Sequence, residues 1–441
     1  MLKNDDNNKY FTRFNKIYVD PFVSFCNYLN GTTTLSDIGK LCKNGMIDCE
    51  FRPILYKILL NILPYDKPCS WKKLVKEQRE TYYQKLNKLL SEDKNLLKFI
   101  NCHEIKGTKI YEDLYCKLPE SKKEIISLIK LDVDRTFQDL DLFHNNKVKE
   151  LLTKILYVNS IENPDPSYCQ GMNEILGTLF YAFLPSVRFN KYPKRQQDKE
   201  NNNKITNLEM LYSYIVDEEH FEADLYTVYS ELMSRDLTLL YTYNDDKYRS
   251  KNNSNNTYDL NNLTNEDLIK SEESDLLKRI KKIFYIYLKQ DKSYFDFLSG
   301  NIEPNLFLLR WLLCMLDREI SLKNVLWIWD CILFYEFVEF TVEKKQTKIN
   351  GVNGMTNENN KYHVNRLNFL DYVCLSMIFD LKTNVINSES SVVLCKFLKF
   401  PNEKNIQSIM NKAFELAIDL NGGTDKWNNE KIKNGINFVK K

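Results

Sequence analysis

The chain has 441 residues, room for two or three structural units at about 150 residues each. Its 62 lysines and arginines against 60 aspartates and glutamates leave a net charge of +2, which offers no broad field to a nucleic-acid backbone or an anionic bilayer. Apolar residues at 43% and aromatics at 13% can fill a large core and exclude wholesale disorder, while 12 glycines and 11 prolines are too few for a turn-rich β sandwich.

Residues 1–30 read as an N-terminal extension. Met1–Tyr10 is charged and Asn-rich and lacks the apolar region of a signal peptide. Beyond it the pattern is helical. Phe51–Leu63 and Trp71–Leu90 repeat apolar positions with a period near 3.6. Pro119-Glu120 followed by Ser121-x-x-Glu124 predicts a capping box that opens a helix through Ile125, Ile126, Leu128 and Ile129. Val148, Leu151, Leu152, Ile155 and Leu156 form one stripe, and Leu276, Leu277, Ile280, Phe284, Tyr287 and Leu288 another. Leu306–Leu316 is apolar nearly all round, which predicts a helix buried on several sides. It and Ile175–Pro185 fall short of the roughly 18 residues a membrane span needs. No run alternates with period two and no repeat is visible, so the expected fold class is all-α.

Three stretches break this pattern. Asn190–Asn207, Asn244–Glu266 and Glu343–Asn365 are rich in Asn and Lys and poor in aliphatics, and they read as disordered surface insertions. The expected organisation is an N-terminal lobe over 31–243, interrupted at about 190–207, and a disordered insertion over 244–266. A C-terminal lobe over 267–420 follows, interrupted at about 343–365, and then a tail over 421–441.

The motifs of several chemistries are missing. There is no Gly-x-x-x-x-Gly-Lys-Ser/Thr loop, so the chain is not expected to hydrolyse nucleotides itself. Gly-x-Ser-x-Gly and Gly-x-Gly-x-x-Gly are absent as well. Eleven cysteines without a Cys-x-x-Cys pair suit a reducing compartment, and four scattered histidines lack metal-ligand spacing. No metal or other cofactor of the chain's own is expected.

Two short motifs remain. In Ile129-x-x-Asp132-x-x-Arg135 the spacing of three puts Asp132 beside Arg135 on one helical face, where the carboxylate can hold the guanidinium. An ordinary surface ion pair would look the same. The second motif is Tyr168-x-Gln170-Gly171-Met172-Asn173, led in by Asn163-Pro164-Asp165-Pro166-Ser167. Ser167-x-x-Gln170 can be read as a capping box, whereas Gly171 allows the close backbone approach of a partner, which a cap does not require.

As a pair, in this order, the motifs resemble the arginine-finger and glutamine-finger motifs of the TBC (Tre–Bub–Cdc) domain, the helical GTPase-activating domain for Rab proteins. Gly45-Met46-Ile47-Asp48 with Arg52-Pro53 is similar to the family's opening, and Leu63-Pro64 followed by Trp71 continues it. Arg310-Trp311, Arg318-Glu319 and Trp329-Asp330 are similar to its C-terminal lobe. The resemblance runs from about Gly45 to about Leu381, and Gln170–Ile175 with the aromatic-rich stretch after it looks most like the member-thirteen subfamily. Tyr56 stands where the family usually has Trp, and Ser167 where it usually has Gly. The resemblance implies a two-lobed helical fold and a Rab GTPase activator that lends Arg135 and Gln170 to its partner. Asp132 would orient Arg135, Tyr168 would support Gln170, Asn173 would fix the loop, and Ile129, Gly171 and Met172 would complete the motifs. The implied partner is a GTP-bound Rab that brings its own GTP and Mg²⁺, with no nucleic acid and with membrane association only through partners. The implied location is cytoplasmic with recruitment to endomembrane surfaces, and the implied role is vesicle traffic. The rival expectation is an idle TBC-like module that binds a GTPase or scaffolds a trafficking complex.

Overall fold

A computed structural model describes residues 28, 34–104, 106–190, 210–241, 260–271, 273–349, 368–401 and 405–420. Every regular element among the described residues is helical. The N-terminal half comprises α1 (Leu35–Lys43), α2 (Arg52–Leu59), α3 (Trp71–Glu92), α4 (Lys94–Ile100), α5 (Lys109–Cys116), α6 (Glu120–Asp134), α7 (Asp141–His144), α8 (Asn146–Glu162), α9 (Met172–Asn190) and α10 (Phe221–Leu232). A π-helical turn over Met233–Leu237 leads into α11 (Thr238–Tyr241). The C-terminal half comprises α12 (Asn265–Lys270), α13 (Asp275–Lys281), α14 (Lys292–Ser299), α15 (Asn305–Leu313), α16 (Leu322–Ile349), α17 (Asn368–Asp380), α18 (Lys382–Val385), α19 (Ser390–Leu398) and α20 (Ile406–Asp419).

Local chemistry accounts for the helix ends. Thr34 caps α1 in a true capping box: its hydroxyl oxygen accepts from the Asp37 amide at 3.2 Å, and the Asp37 carboxylate accepts from the Thr34 amide at 3.1 Å. The capping box expected at Ser121 is not formed. Helix α6 starts at Glu120 behind Pro119, two residues before a Ser121 cap would start it, with Ser121 inside it and exposed. The physical reason is that Pro119, at φ −58°, already has the dihedral of a helix start and carries no amide to satisfy.

Side chains then bring the halves together. The stripe of α8 is buried as its periodicity predicts, and α8 packs on α6 while α3 packs on α10. The long α16 lies against α1, α2 and α9, and one apolar core continues through both halves. Buried ion pairs cross this core. Arg52 on α2 donates to Asp330 on α16 with both arms of its fork, at 2.9 and 3.0 Å. Lys57 and Arg79 both hold Asp224, at 3.1 and 2.7 Å, joining α2 and α3 to α10. Tyr56 is fully buried among these groups, an aromatic core residue.

Several expectations need correction. Residues 260–266 were expected within a disordered insertion, yet Leu260–Asn262 forms a 3₁₀ turn and Thr264 caps α12 by a second Thr-x-x-Asp box. Residues 343–349 continue α16. A helix already nucleated by its buried turns can extend through polar residues at little further entropic cost, which composition alone does not reveal. Asn190, the first residue of the first expected insertion, still belongs to α9, and the rest of the expected insertions, most of the N-terminal extension and the tail lie outside the described residues. Leu306–Leu316 is not one helix buried all round, because Leu306 is half exposed and α15 ends at Leu313. Met315 and Leu316 then take left-handed φ values of 45° and 69° and turn the chain into Asp317-Arg318-Glu319. No helix among the described residues is long and apolar enough to cross a membrane.

Candidate functional site

The two sequence motifs meet at the C-terminal end of α6 and the N-terminal end of α9. Ile129 and Val133 anchor α6 in the core and carry Asp132 with them, fully buried. Arg135 follows as the residue closing the helix, with its side chain 41% exposed. Its Nη2 lies 2.6 Å from Asp132 Oδ1, so one end of the guanidinium is held while the rest faces outward. The helix then stops: the Thr136 hydroxyl donates to the Asp132 carbonyl at 2.8 Å, and Phe137 reverses the chain at φ 42°.

The second loop is built around the same carboxylate. Tyr168 is buried, and its hydroxyl donates to Asp132 Oδ2 at 2.8 Å, with Asn173 Oδ1 3.3 Å away. Burial first, and then the neighbouring Asp132 carboxylate, push the Tyr168 phenol far above its ordinary range, so it stays a donor. Asn173 joins both loops. Its amide nitrogen donates to the Asp132 carbonyl at 3.2 Å and to the Thr136 hydroxyl at 2.9 Å, and its Oδ1 accepts from the Gly171 amide at 3.1 Å.

Between Tyr168 and Asn173 the chain makes a tight turn. Gly171 has φ +104°, and a Cβ there would lie 3.2 Å from Tyr241 Oη and 3.4 Å from Cys314 Sγ. Conformation and contact both demand glycine. The buried Met172 opens α9 and its sulfur accepts from the Cys169 amide at 3.4 Å. The capping-box alternative is overturned: α9 starts after Gly171, and the Ser167 hydroxyl donates instead to the Ser160 carbonyl at 3.3 Å. Gln170 is left exposed, without a side-chain hydrogen bond among the described residues.

Some of the support is not apparent from the motifs. At Gly177 a Cβ would sit 2.9 Å from Phe137 Cε2 and 3.0 Å from Thr136 Cγ2, so this glycine lets α9 close against the end of α6. Glu174, next after Asn173, accepts from Arg318 Nε at 2.7 Å, tying the start of α9 to the C-terminal half. Beside it Asp317 is buried, and burial raises its carboxyl well above the ordinary range. Glu319 pairs with Arg310, yet burial pushes it up to about 7. At another surface the ligand atoms of Asp217, Glu219 and His220 lie within 4.8 Å of one another, a grouping that the separation of the histidines along the chain does not suggest.

Chemically, the arrangement presents one guanidinium and one carboxamide outward on two loops that share a buried carboxylate. A fork of this kind bridges two anionic oxygens, and a carboxamide offers a donor and an acceptor at once. Neither group is a nucleophile or a proton carrier at neutral pH.

Residues 49–343 match the family model described as Rab-GTPase-TBC domain. Among curated relatives, TBC1 domain family member 5 of Mus musculus is 23% identical over 85% of this chain, of which the match covers 41% of that relative. Member 13 of Homo sapiens is 20% identical, over 87% of this chain and 92% of its own length. The crystal structure of the Ypt/Rab-GAP domain of Gyp1p superposes with a TM-score of 0.55 at 18% identity, covering 90% of this chain and 98% of that one, a likeness of fold.

Proposed function

The chain belongs to the Rab-GTPase-TBC domain family, and from that premise we propose that it accelerates GTP hydrolysis by a GTP-bound Rab protein, lending Arg135 and Gln170 in trans. The observation that supports this reading is that both side chains project outward from loops joined through one buried network of Asp132, Tyr168 and Asn173. In the transition state of phosphoryl transfer, negative charge spreads over phosphoryl oxygens and the attacking water must be held in line. Arg135 supplies a permanent cation that can bridge two of those oxygens. Gln170 has the donor and acceptor needed to hold the water and a backbone group together. In Ras, an arginine supplied by the activator contributes about 10³–10⁵ in rate, which corresponds to about 4–7 kcal/mol of barrier.

The remaining residues position these two. Asp132 holds Arg135, the Tyr168 hydroxyl fixes Asp132, and Asn173 sets the separation of the two loops. GTP and Mg²⁺ belong to the partner, and the chain contributes no cofactor. A relative named as a GTPase-activating protein favours the same reading. The proposal carries with it a place in vesicle traffic for a cytoplasmic protein that reaches endomembranes through its partners.

Purified chain mixed with a panel of GTP-loaded Rab proteins, with phosphate release followed, tests the proposal. Stimulation of one or a few Rabs by the wild type and not by Arg135→Ala is the expected result. Binding without stimulation would instead identify an idle TBC-like module.

A further inference from the structure

Helix α6 is amphipathic with one exception. Its inner face carries Ile126, Ile129 and Val133 into the core. At 100° per residue the opposite stripe is Ser121, Glu124, Leu128, Leu131 and Arg135, all exposed. The first two are polar, as a solvated face should be, but Leu128 is 39% and Leu131 59% exposed. A single exposed leucine needs no explanation, whereas two neighbouring on one stripe, in the turns directly before Arg135, form a continuous apolar patch.

We propose that Leu128 and Leu131 form the docking surface for the apolar part of the GTPase's switch surface, the segments that the γ-phosphate orders, so that α6 both seats the GTP form and delivers Arg135. The inference rests on the activator reading above. A helix rises 1.5 Å per residue, so Leu131 stands about 6 Å and Leu128 about 10 Å behind Arg135 on the same stripe. A globular domain of 100 or more residues has a radius of gyration of about 13 Å or greater. A partner of that size whose bound nucleotide touches Arg135 and which lies along this stripe covers both leucines. What covers them next to a γ-phosphate is switch backbone and side chain, since those segments are held by that phosphate and released after hydrolysis. Apolar contact with them is available only in the GTP-bound arrangement, which makes the patch a reader of nucleotide state as well as an anchor.

The test uses the Rab protein that responds best in the panel, loaded either with GTP or with GDP and aluminium fluoride. Leu131→Asp, alone and with Leu128→Asp, should melt like the wild type, because neither side chain is buried. It should weaken binding to the aluminium fluoride form at least about tenfold, as for loss of an interface anchor. The half-saturating concentration should rise by the same factor, with the rate at saturation changed less than about threefold. Arg135→Ala should show the reverse split, losing rate and affinity for the aluminium fluoride form, which mimics the transition state, while keeping affinity for the GTP-bound form. Unchanged affinity in both leucine variants would overturn the docking surface while leaving the activator reading intact. No stimulation of any Rab by wild type would overturn both. Self-association of the wild type, or its flotation with phosphatidylserine vesicles, that is abolished by Leu131→Asp with Rab affinity unchanged would assign the patch to a second copy or to lipid and overturn the proposal.

Discussion

The Tyr168 hydroxyl donates to the same buried carboxylate, Asp132, that holds Arg135, the two oxygens of one side chain serving the two loops at 2.8 and 2.6 Å. A single carboxylate thus sets where both outward groups stand. Displacing it by a fraction of an ångström moves the Arg135 and Gln170 loops together.

Tyr168→Phe should reveal this coupling. Phe keeps the ring in its pocket but leaves Asp132 Oδ2 buried without its donor, at a cost of about 1–3 kcal/mol. We expect lower stability by urea titration, a reduced rate of Rab-stimulated hydrolysis, and Rab affinity close to wild type. A stability loss with full stimulation would confine the hydroxyl to a structural part.

Arg135 and Gln170 should separate function from fold. Gln170 is exposed, so Gln170→Ala should melt as the wild type does, whereas Arg135→Ala leaves the buried Asp132 Oδ1 without its ion-pair partner and should cost about 1–3 kcal/mol while the chain still folds. Stimulated hydrolysis should fall at least about a hundredfold in each, toward the low end of finger effects. Arg135→Lys should restore little, since a point charge lacks the bridging fork. The wild type should also stimulate a Rab whose own catalytic Gln is replaced by Leu, because Gln170 would supply the missing carboxamide. Failure on that altered Rab, beside strong activity on the normal one, would rule out a glutamine lent in trans.

Glycine at position 171 answers two demands that substitution can tell apart. Gly171→Ala meets an unfavourable φ and the Tyr241 hydroxyl, so it should cost about 1–3 kcal/mol and abolish stimulation. Gly107 has a similar φ of +95° with open space around it. Gly107→Ala should therefore lower the melting temperature only through backbone strain and leave stimulation untouched. Equal loss of activity in both variants would show that the Gly171 contact is incidental.

The carboxylates behind α9 should make stability pH-dependent. Glu319 titrates near 7 in the fold against an ordinary 4.5, mainly through burial, with Arg310 and Arg318 opposing and Glu174 adding to the rise. A raised carboxyl favours the fold fully below about 4.5, and that contribution is lost as pH climbs through about 7. Asp317 acts with the same sign. Between pH 5 and 8, Glu319→Gln should gain on the wild type by up to about 3 kcal/mol in urea unfolding. A wild-type-minus-variant difference that stays constant over this range would contradict the assignment.

Much of the site was legible because its parts are close in sequence. Three-residue spacing set Asp132 beside Arg135, and the run from Tyr168 to Asn173 contains its own turn. The all-α class followed from helical periodicity that the core could use. What stayed hidden depends on distant chain. Nothing near Gly171 announces Tyr241 or Cys314, and Arg318 reaches Glu174 across 144 positions. Ser167-x-x-Gln170 has the letters of a capping box, but the positive φ of Gly171 breaks the chain before a helix could use it. The converse error fell at Thr264-x-x-Asp267, a real capping box obscured by the Asn-rich composition around it.

The pairing of Arg52 with Asp330 spans 278 positions, and it sets an order of events during synthesis. At about 5–20 residues per second, roughly 15 to 55 s separate the appearance of the two partners on a ribosome. Throughout that interval α2 carries a guanidinium destined for the interior with no counter-charge to meet it, so its burial cannot be completed. Lys57 and Arg79, by contrast, find Asp224 some 100 residues sooner. We therefore expect a nascent chain stalled before Asp330 to remain open to protease around α2, and one stalled well beyond α16 to be protected there.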